Sequence, residues 1–250
     1  GAGQIKAPSI EGNIPNARSL QEISADPFNK RGRGVSAKTR GTPTMQSTGA
    51  GYVPASKIPG AVQGDSAFQG EVTRLAKKYN LAEDDLYRVM SFESGGSFSP
   101  SKRNAAGSGA TGLIQFMPST AKGLGTTTSK LANMSRAQQM EYVDKYFANT
   151  KLSKINNPTI EDIYMSVYKP KAVGQGGGYV HARAGSKEYQ QNAGFDTRGN
   201  RDGVITTDEA SSLVKNHDMP GIGRYKAPAR GQSSGDGVIA NAIRATNALL

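Results

Sequence analysis

The stretch FESGGSFSPSKRNAAGSGATGLIQFMPSTA, residues 92–121, decides how this 250-residue chain folds. It contains a single acidic residue, Glu93, and the next acid along the chain is Glu141. The glycines after Glu93 predict a helix that ends at Gly95 and a loop that comes after it. The apolar run near the end of the stretch predicts a further helix over residues 113–122.

The residues on both sides of this stretch predict more α-helices. Apolar side chains at helical spacing predict a helix over residues 66–80, and the acids at 83–85 begin a second helix that carries Glu93. Capping signals at Ser135 and Thr159 predict that two further helices start there. The centre of the chain is therefore expected to be mainly α.

The two ends of the chain have a different composition. Residues 1–64 hold six of the twelve prolines, ten of the 31 glycines and an excess of five positive charges, which predicts an extended basic arm or linker. We expect one domain over residues 65–175 and a loop-rich extension over 176–219. A linker with a terminal helix is expected over residues 220–250.

The overall composition excludes several kinds of site. The chain has no cysteine, so disulfides and thiolate metal sites are absent. No apolar run approaches the ~18 residues of a membrane span. The net charge of +11 suits a polyanionic partner, but no nucleic-acid-binding motif is visible. We therefore predict neither a specific nucleic acid partner nor a membrane span.

Glu93 lies on the apolar stripe of its own predicted helix, which leaves two interpretations open. A buried carboxyl without a partner has a raised pKa and stays protonated near neutral pH, so it can act as an acid. A carboxyl at a frayed helix end is hydrated and has no function. The position in the helix alone does not separate the two.

The residues around Glu93 resemble the signature of an enzyme family. Glu93-Ser94-Gly95, with ATGLIQFMPSTA further on at residues 110–121, is similar to the bipartite motif of lytic transglycosylases with the goose-lysozyme-like fold. The resemblance covers roughly residues 66–175 and implies a mainly α, lysozyme-like domain with extended flanks. It also implies cleavage of the β-1,4 bond between N-acetylmuramic acid and N-acetylglucosamine in peptidoglycan glycan strands.

The same resemblance implies roles for individual residues. Glu93 falls on the catalytic acid, and Ser94, Gln115 and Met117 fall on substrate-binding positions. Many relatives carry Ala-Tyr-Asn-Ala-Gly on the last helix, with the tyrosine near the acid. Tyr168 takes that place here, although the asparagine is missing. A half-buried core tyrosine is the alternative interpretation of Tyr168.

The family's chemistry fits a stretch that offers only one carboxylate. Ordinary glycosidases use two carboxylates, one as acid and one as base or nucleophile. In lytic transglycosylases, the acetamido group of the substrate stabilises the developing charge, and the C6 hydroxyl of muramic acid attacks C1. Glu93 would act as acid and then as base, giving a 1,6-anhydro product. Hydrolysis by water is the alternative outcome.

A second motif, DTRGNRDGVITTDE at residues 196–209, resembles an EF-hand calcium loop. The candidate ligands are Asp196, Asn200, Asp202 and Glu209. Counting back from the Asp-Gly pair at 202–203 puts the cation Arg198 at the first ligand position. We therefore expect an Asx-rich turn before a short helix over residues 208–214, and no metal or other cofactor, with calcium as the alternative.

YMSVYKPKAVG at residues 164–174, YQQNAGFD at 189–196 and the DG-ITT-EA pattern at 202–210 also resemble the segment that follows this domain in virion-associated transglycosylases of tailed bacteriophages. This resemblance implies a tail protein or an ejected internal protein that opens the cell wall, in the wall or periplasm, when the phage genome is delivered. The N-terminal arm and C-terminal helix would contact other virion proteins. The alternative is a structural tail or ejection protein whose inactive lysozyme-like domain only binds glycan. A bacterial cell-wall remodelling enzyme is disfavoured because no signal peptide is visible.

Overall fold

The computed structural model describes residues 51–105, 107–219 and 222–227, so most of the predicted N-terminal arm and the predicted terminal helix lie outside the described residues. In the described part, the chain forms nine α-helices and two short strands. The helices are α1 (Ser66–Tyr79), α2 (Glu83–Ser94), α3 (Pro118–Gly123), α4 (Thr128–Ala132), α5 (Arg136–Ala148), α6 (Ile160–Tyr168), α7 (Lys187–Asn192), α8 (Gly194–Arg198) and α9 (Thr207–Asn216). The strands are β1 (Val180–Arg183) and β2 (Val204–Thr206), and single 3-10 turns lie at Gly60–Val62, Lys151–Lys154 and Pro170–Ala172.

The first two helices begin and end where the local sequence predicts. The carboxylate of Asp65 caps α1 by accepting a hydrogen bond of 3.0 Å from the backbone N–H of Phe68. Helix α1 ends at Tyr79, and the next residue, Asn80, takes the left-handed conformation with φ +53°. Helix α2 ends at Ser94, and Gly95 after it is also left-handed, with φ +65°. Both predicted helices are confirmed.

Helices α5 and α6 each begin with a capping box, as predicted. The Ser135 hydroxyl accepts from the Gln138 backbone N–H, and the Gln138 side chain accepts from the Ser135 backbone N–H. Thr159 and Asp162 make the same reciprocal pair at the start of α6. Each box satisfies two backbone donors that have no partner within the helix, so it fixes the first residue of the helix.

The helix predicted over residues 113–122 is wrong in its first half, because α3 begins only at Pro118. The preceding residues form a tight turn in which Thr111 and Phe116 exchange two backbone hydrogen bonds of 3.0 and 2.8 Å. Gln115 within this turn is left-handed, with φ +52°. A residue in that conformation cannot belong to a right-handed helix, so the apolar run 113–117 forms a loop.

Helix α2 lies at the centre of the packing. It packs against α1 on one side and against α6 and α9 on others, while α5 packs against α1. The side chains at these contacts are almost completely buried, among them Phe68, Leu75, Leu86, Met90, Phe147 and Ile163. No helix in the described part of the chain is long and apolar enough to cross a membrane.

The extension over residues 176–219 is more regular than its sequence predicts. Strands β1 and β2 pair antiparallel, with Ala182 opposite Ile205. Helix α9, predicted over residues 208–214, is slightly longer than expected and packs against α6 and α2. Lys215 of α9 also forms an ion pair with Glu161 of α6. The extension therefore joins the same core as the central helices.

Both ends of the described chain attach to α2. Near the start of the described part, the Tyr52 hydroxyl donates a 2.8 Å hydrogen bond to the carboxylate of Glu83, in the first turn of α2. Near its end, the buried guanidinium of Arg88 donates to the carbonyl oxygens of His217 at 2.5 Å and Gly223 at 3.0 Å. The helix that carries Glu93 is thus held by segments that enter and leave the domain.

Candidate active site

Glu93 occupies the last turn of α2 and is only 1% exposed. Its Oε2 atom has no hydrogen-bond partner among the described residues. Burial raises the pKa of this carboxyl from 4.5 to about 8, because the charged form is poorly solvated there. Glu93 is therefore a buried, protonated acid at neutral pH, and the interpretation as a hydrated carboxyl at a frayed end is wrong.

Two buried tyrosines lie within electrostatic reach of Glu93. Burial raises the pKa of Tyr146 and of Tyr164, and the negative charge of an ionised Glu93 raises both further. The Tyr164 ring also meets the ring of Phe92 edge-on, with centroids 5.6 Å apart. The sequence did not single out these tyrosines as site residues, because their helical spacing is equally typical of core positions.

The Ser94 hydroxyl is used within the protein. It donates to the carbonyl oxygen of Met90 at 2.7 Å and accepts from the backbone N–H of Phe98 at 2.9 Å. These bonds join the end of α2 to the loop behind it. Ser94 thus holds the turn directly after Glu93, and the predicted contact of its side chain with substrate stays a prediction.

Gln115 presents a buried carboxamide that is half satisfied. The side chain is 3% exposed, and its Nε2 donates to the carbonyl oxygens of Gly112 at 3.0 Å and Lys102 at 3.1 Å. Its Oε1 has no hydrogen-bond partner within the described ranges. Because a buried acceptor without a donor is costly, Oε1 is a candidate for a hydrogen bond from substrate.

The loop of Gln115 contacts Tyr146, one of the two tyrosines within electrostatic reach of Glu93. The Phe116 ring meets the Tyr146 ring edge-on, with centroids 6.2 Å apart. Met117 comes next in the chain, as the half-buried residue before α3. The ring of Tyr146 thus contacts the second half of the sequence motif and lies within electrostatic reach of Glu93 in the first half.

Tyr168 lies further along an aromatic stack on α6. Its ring is parallel to that of Tyr164, with centroids 5.8 Å apart, and it meets the rings of His181 and Phe195 edge-on. Burial raises its pKa. Tyr168 thus connects the tyrosine beside Glu93 to the extension, and its predicted contact with substrate stays a prediction.

The predicted calcium ligands lie close together in the extension. Carboxylate oxygens of Asp196, Asp202 and Glu209 all lie within 4.8 Å of one another. Asn200 donates a 3.0 Å hydrogen bond from its side chain to Asp202. In the described part of the chain, this cluster is the place where carboxylates could hold a divalent cation, with ligand types that suit calcium.

The comparisons with known proteins give one result. Residues 72–151 match the family model of the Transglycosylase SLT domain. No curated protein and no solved structure matches the chain. The matched segment supports a lytic transglycosylase domain, a type of domain that acts on peptidoglycan, and it confirms the predicted mainly α, lysozyme-like fold class.

The SLT match covers only part of the site. It runs from within α1 to just beyond α5, so it includes Glu93, Gln115 and Tyr146. Tyr164, Tyr168 and the acidic cluster lie beyond its end. The arrangement as a whole combines one buried acid, two tyrosines within its electrostatic reach and a loop with an unpartnered amide acceptor.

Proposed function

We propose that this chain is a peptidoglycan lytic transglycosylase in which Glu93 serves first as general acid and then as general base. The observation that carries this proposal is the buried carboxyl of Glu93, which lies in the SLT-matched segment and has an unpartnered oxygen among the described residues. A protonated carboxyl in such a site can donate a proton at neutral pH, and its conjugate base, poorly solvated, readily takes one back.

The proposed reaction needs no second carboxylate. Glu93 donates its proton to the oxygen that links N-acetylmuramic acid to N-acetylglucosamine, and the bond from this oxygen to C1 breaks. The substrate's acetamido group stabilises the positive charge on C1. The C6 hydroxyl of muramic acid then attacks C1 and returns its proton to the Glu93 carboxylate, so the acid is restored and no water is consumed.

The charge environment of Glu93 supports this single-acid scheme. Burial is the cause of its raised pKa, and no other described carboxylate contributes to the shift. A hydrolase with two catalytic carboxylates would place the second one opposite the first, close enough to activate water or to attack C1. The free Oε1 of Gln115 would accept a hydrogen bond from a hydroxyl or acetamido N–H of the glycan.

Mass spectrometry of products from purified peptidoglycan tests the proposal. The wild-type protein is expected to release fragments with 1,6-anhydromuramic ends, which are lighter by one water than hydrolytic ends. Glu93→Gln keeps the size of the side chain but cannot transfer a proton, so it should abolish product formation. The matched control is Glu141→Gln, which makes the same change at an exposed position of α5.

Each other outcome has a defined meaning. Reducing ends alone would identify a hydrolase that uses the same acid. Glycan binding without any product from the wild-type protein would favour the alternative of an inactive, glycan-binding domain. Near wild-type activity of Glu93→Gln would overturn the proposed site.

We propose further that the enzyme belongs to the virion of a tailed bacteriophage and opens the cell wall, in the wall or periplasm, during genome delivery. Support comes from the resemblance of residues 164–210 to virion-associated transglycosylases and from the Gly- and Pro-rich, basic composition of residues 1–64. The arm and the C-terminal segment would bind other virion proteins. Mass spectrometry of purified phage particles should detect the chain, and its absence from them would contradict this placement.

A further inference from the structure

Gln139, in the first turns of α5, has a fully buried side-chain amide with three backbone partners. Its Oε1 accepts a hydrogen bond of 2.7 Å from the backbone N–H of Leu113. Its Nε2 donates to the carbonyl oxygens of Leu131 at 2.9 Å and Pro100 at 3.1 Å. One side chain therefore links α5 to two loop segments and to helix α4.

The backbone at Gly112 lies directly against this amide. Gly112 has φ +91°, and a Cβ atom at this position would lie 2.3 Å from Oε1 of Gln139. Any other residue would collide with the amide as well as adopt an unfavourable backbone conformation. Gly112 and Gln139 thus form a close contact, and this contact restricts how the loop at residues 111–116 can be placed relative to α5.

The same glycine holds the amide of Gln115. The Gly112 carbonyl oxygen accepts a 3.0 Å hydrogen bond from Nε2 of Gln115 and a 3.2 Å bond from its backbone N–H. The position of Gly112 therefore sets the direction of the Gln115 carboxamide. A displacement of Gly112 would therefore disturb the Gln115 carboxamide, whose Nε2 is bonded to this carbonyl oxygen and to that of Lys102.

We infer that Gln139 is a positioning residue of the substrate site, which fixes the turn at residues 111–116 and thereby aims the Gln115 carboxamide at the glycan. This inference rests on the proposed function. Gln139 acts through Gly112 and Leu113 on glycan binding, whereas proton transfer depends on Glu93, which lies on a different element. Loss of Gln139 is expected to weaken binding more than it slows the chemical step.

The first experiment compares Gln139→Leu with the wild-type protein on soluble glycan strands. A misplaced binding group typically costs up to ~100-fold, so KM should rise ~10–100-fold while kcat and its pH dependence stay within a few-fold. The matched control is Gln69→Leu, which removes an amide that also donates to two backbone carbonyls, those of Val62 and Gln63. This control should leave KM unchanged.

A second variant, Gln139→Glu, separates positioning from simple packing. A protonated glutamic acid can accept from the Leu113 N–H and still donate to one carbonyl oxygen, whereas the ionised form can only accept. The KM of Gln139→Glu should therefore be close to that of the wild-type protein at low pH and should rise as the new carboxyl ionises. The wild-type KM should not show this additional transition.

The outcomes that would overturn the inference are equally specific. An unchanged KM in folded Gln139→Leu, a loss confined to kcat, or failure of both Gln139 variants to fold would assign Gln139 to the core alone. If the wild-type protein forms no product, the proposed catalysis fails separately. Calorimetric titration of wild-type protein and variants with an N-acetylglucosamine oligomer then decides the inference, because a positioning residue must still weaken binding when it is replaced.

Discussion

The hydroxyl of Tyr146 donates a 2.8 Å hydrogen bond to the carbonyl oxygen of Ser166, and this bond joins α5 to the last turn of α6. In a continuing helix, that carbonyl would accept from the N–H of residue 170, which is Pro170 and has none. Tyr146 thus supplies the donor that the proline lacks. The same ring contacts Phe116 and lies within electrostatic reach of Glu93, so the bond also holds the ring in place at the candidate site.

Removing this hydroxyl should destabilise the fold. Tyr146→Phe keeps the ring but leaves the buried Ser166 carbonyl without its donor, so the free energy of unfolding should fall by ~1–3 kcal/mol. Urea denaturation would measure the change. Tyr142→Phe, at a partly exposed tyrosine of the same helix, is the control, and an equal effect of both variants would contradict the assigned bond.

The activity should lose its acid catalyst at mildly alkaline pH. Since the pKa of Glu93 is raised to about 8, the protonated form that donates to the glycosidic oxygen disappears above that pH. A profile of kcat/KM against pH should therefore show an alkaline limb near 8. A limb near pH 4–5, where a hydrated glutamate titrates, would show that Glu93 is solvated in the free enzyme.

Stability should also depend on the ionisation of Glu93. The folded-state pKa of about 8 lies above the ordinary 4.5, so the contribution to stability is full below pH 4.5 and is lost as pH rises to 8. The free energy of unfolding of the wild-type protein should fall by ~2–5 kcal/mol over this range relative to Glu93→Gln. If the free energies of unfolding of the two proteins change with pH in the same way, Glu93 does not have a raised pKa in the folded state.

The compact unit should be longer than the segment that matches the family. Helix α9 packs against α2, and the segment after α9 supplies the two carbonyl oxygens to which Arg88 donates. Deleting everything after residue 175 removes both of these partners of Arg88. A fragment of residues 51–175 should therefore lack the cooperative thermal transition that a fragment of residues 51–227 shows. Limited proteolysis should likewise leave a core that extends beyond residue 175. A stable, cooperatively melting 51–175 fragment would contradict this.

The fold of the extension is predicted not to require a metal. The Asp196 carboxylate already accepts from the backbone N–H groups of Asp202 and Gly203, and the Glu209 carboxylate accepts from that of Thr206. The melting temperature should be the same in calcium and in chelator. A rise in calcium that disappears in Asp202→Ala would instead show that the carboxylate cluster binds the ion and that binding stabilises the fold.

The sequence predicts helix ends well where the determinants are local. The capping boxes at Ser135 and Thr159 involve residues only three positions apart. Both partners of each interaction can therefore be recognised in a short stretch of sequence. The turn before α3 could not be predicted in this way. Gly112 and Gln139 meet across 26 intervening positions of chain, and no short-range pattern shows that their contact takes precedence over an apolar run.

The residues of the candidate site also differ in whether a short-range sequence pattern can reveal them. Glu93 could be found from its place on an apolar stripe and from the motif around it. Tyr146 and Tyr164 could not, because a buried tyrosine beside an acid has the same helical spacing as one that only fills the core. The strand pair in the extension is equally hidden, since β1 and β2 are four and three residues long and pair across twenty others.

The attachment of both chain ends to α2 has a mechanical consequence. Tyr52 holds the incoming segment at the first turn of this helix, and Arg88 holds the outgoing segment less than two turns further on. A pull on the two flanks would therefore be transmitted to α2 at two points five residues apart, Glu83 and Arg88. If the flanks are anchored in a larger assembly, such a pull would act directly on the helix that carries Glu93.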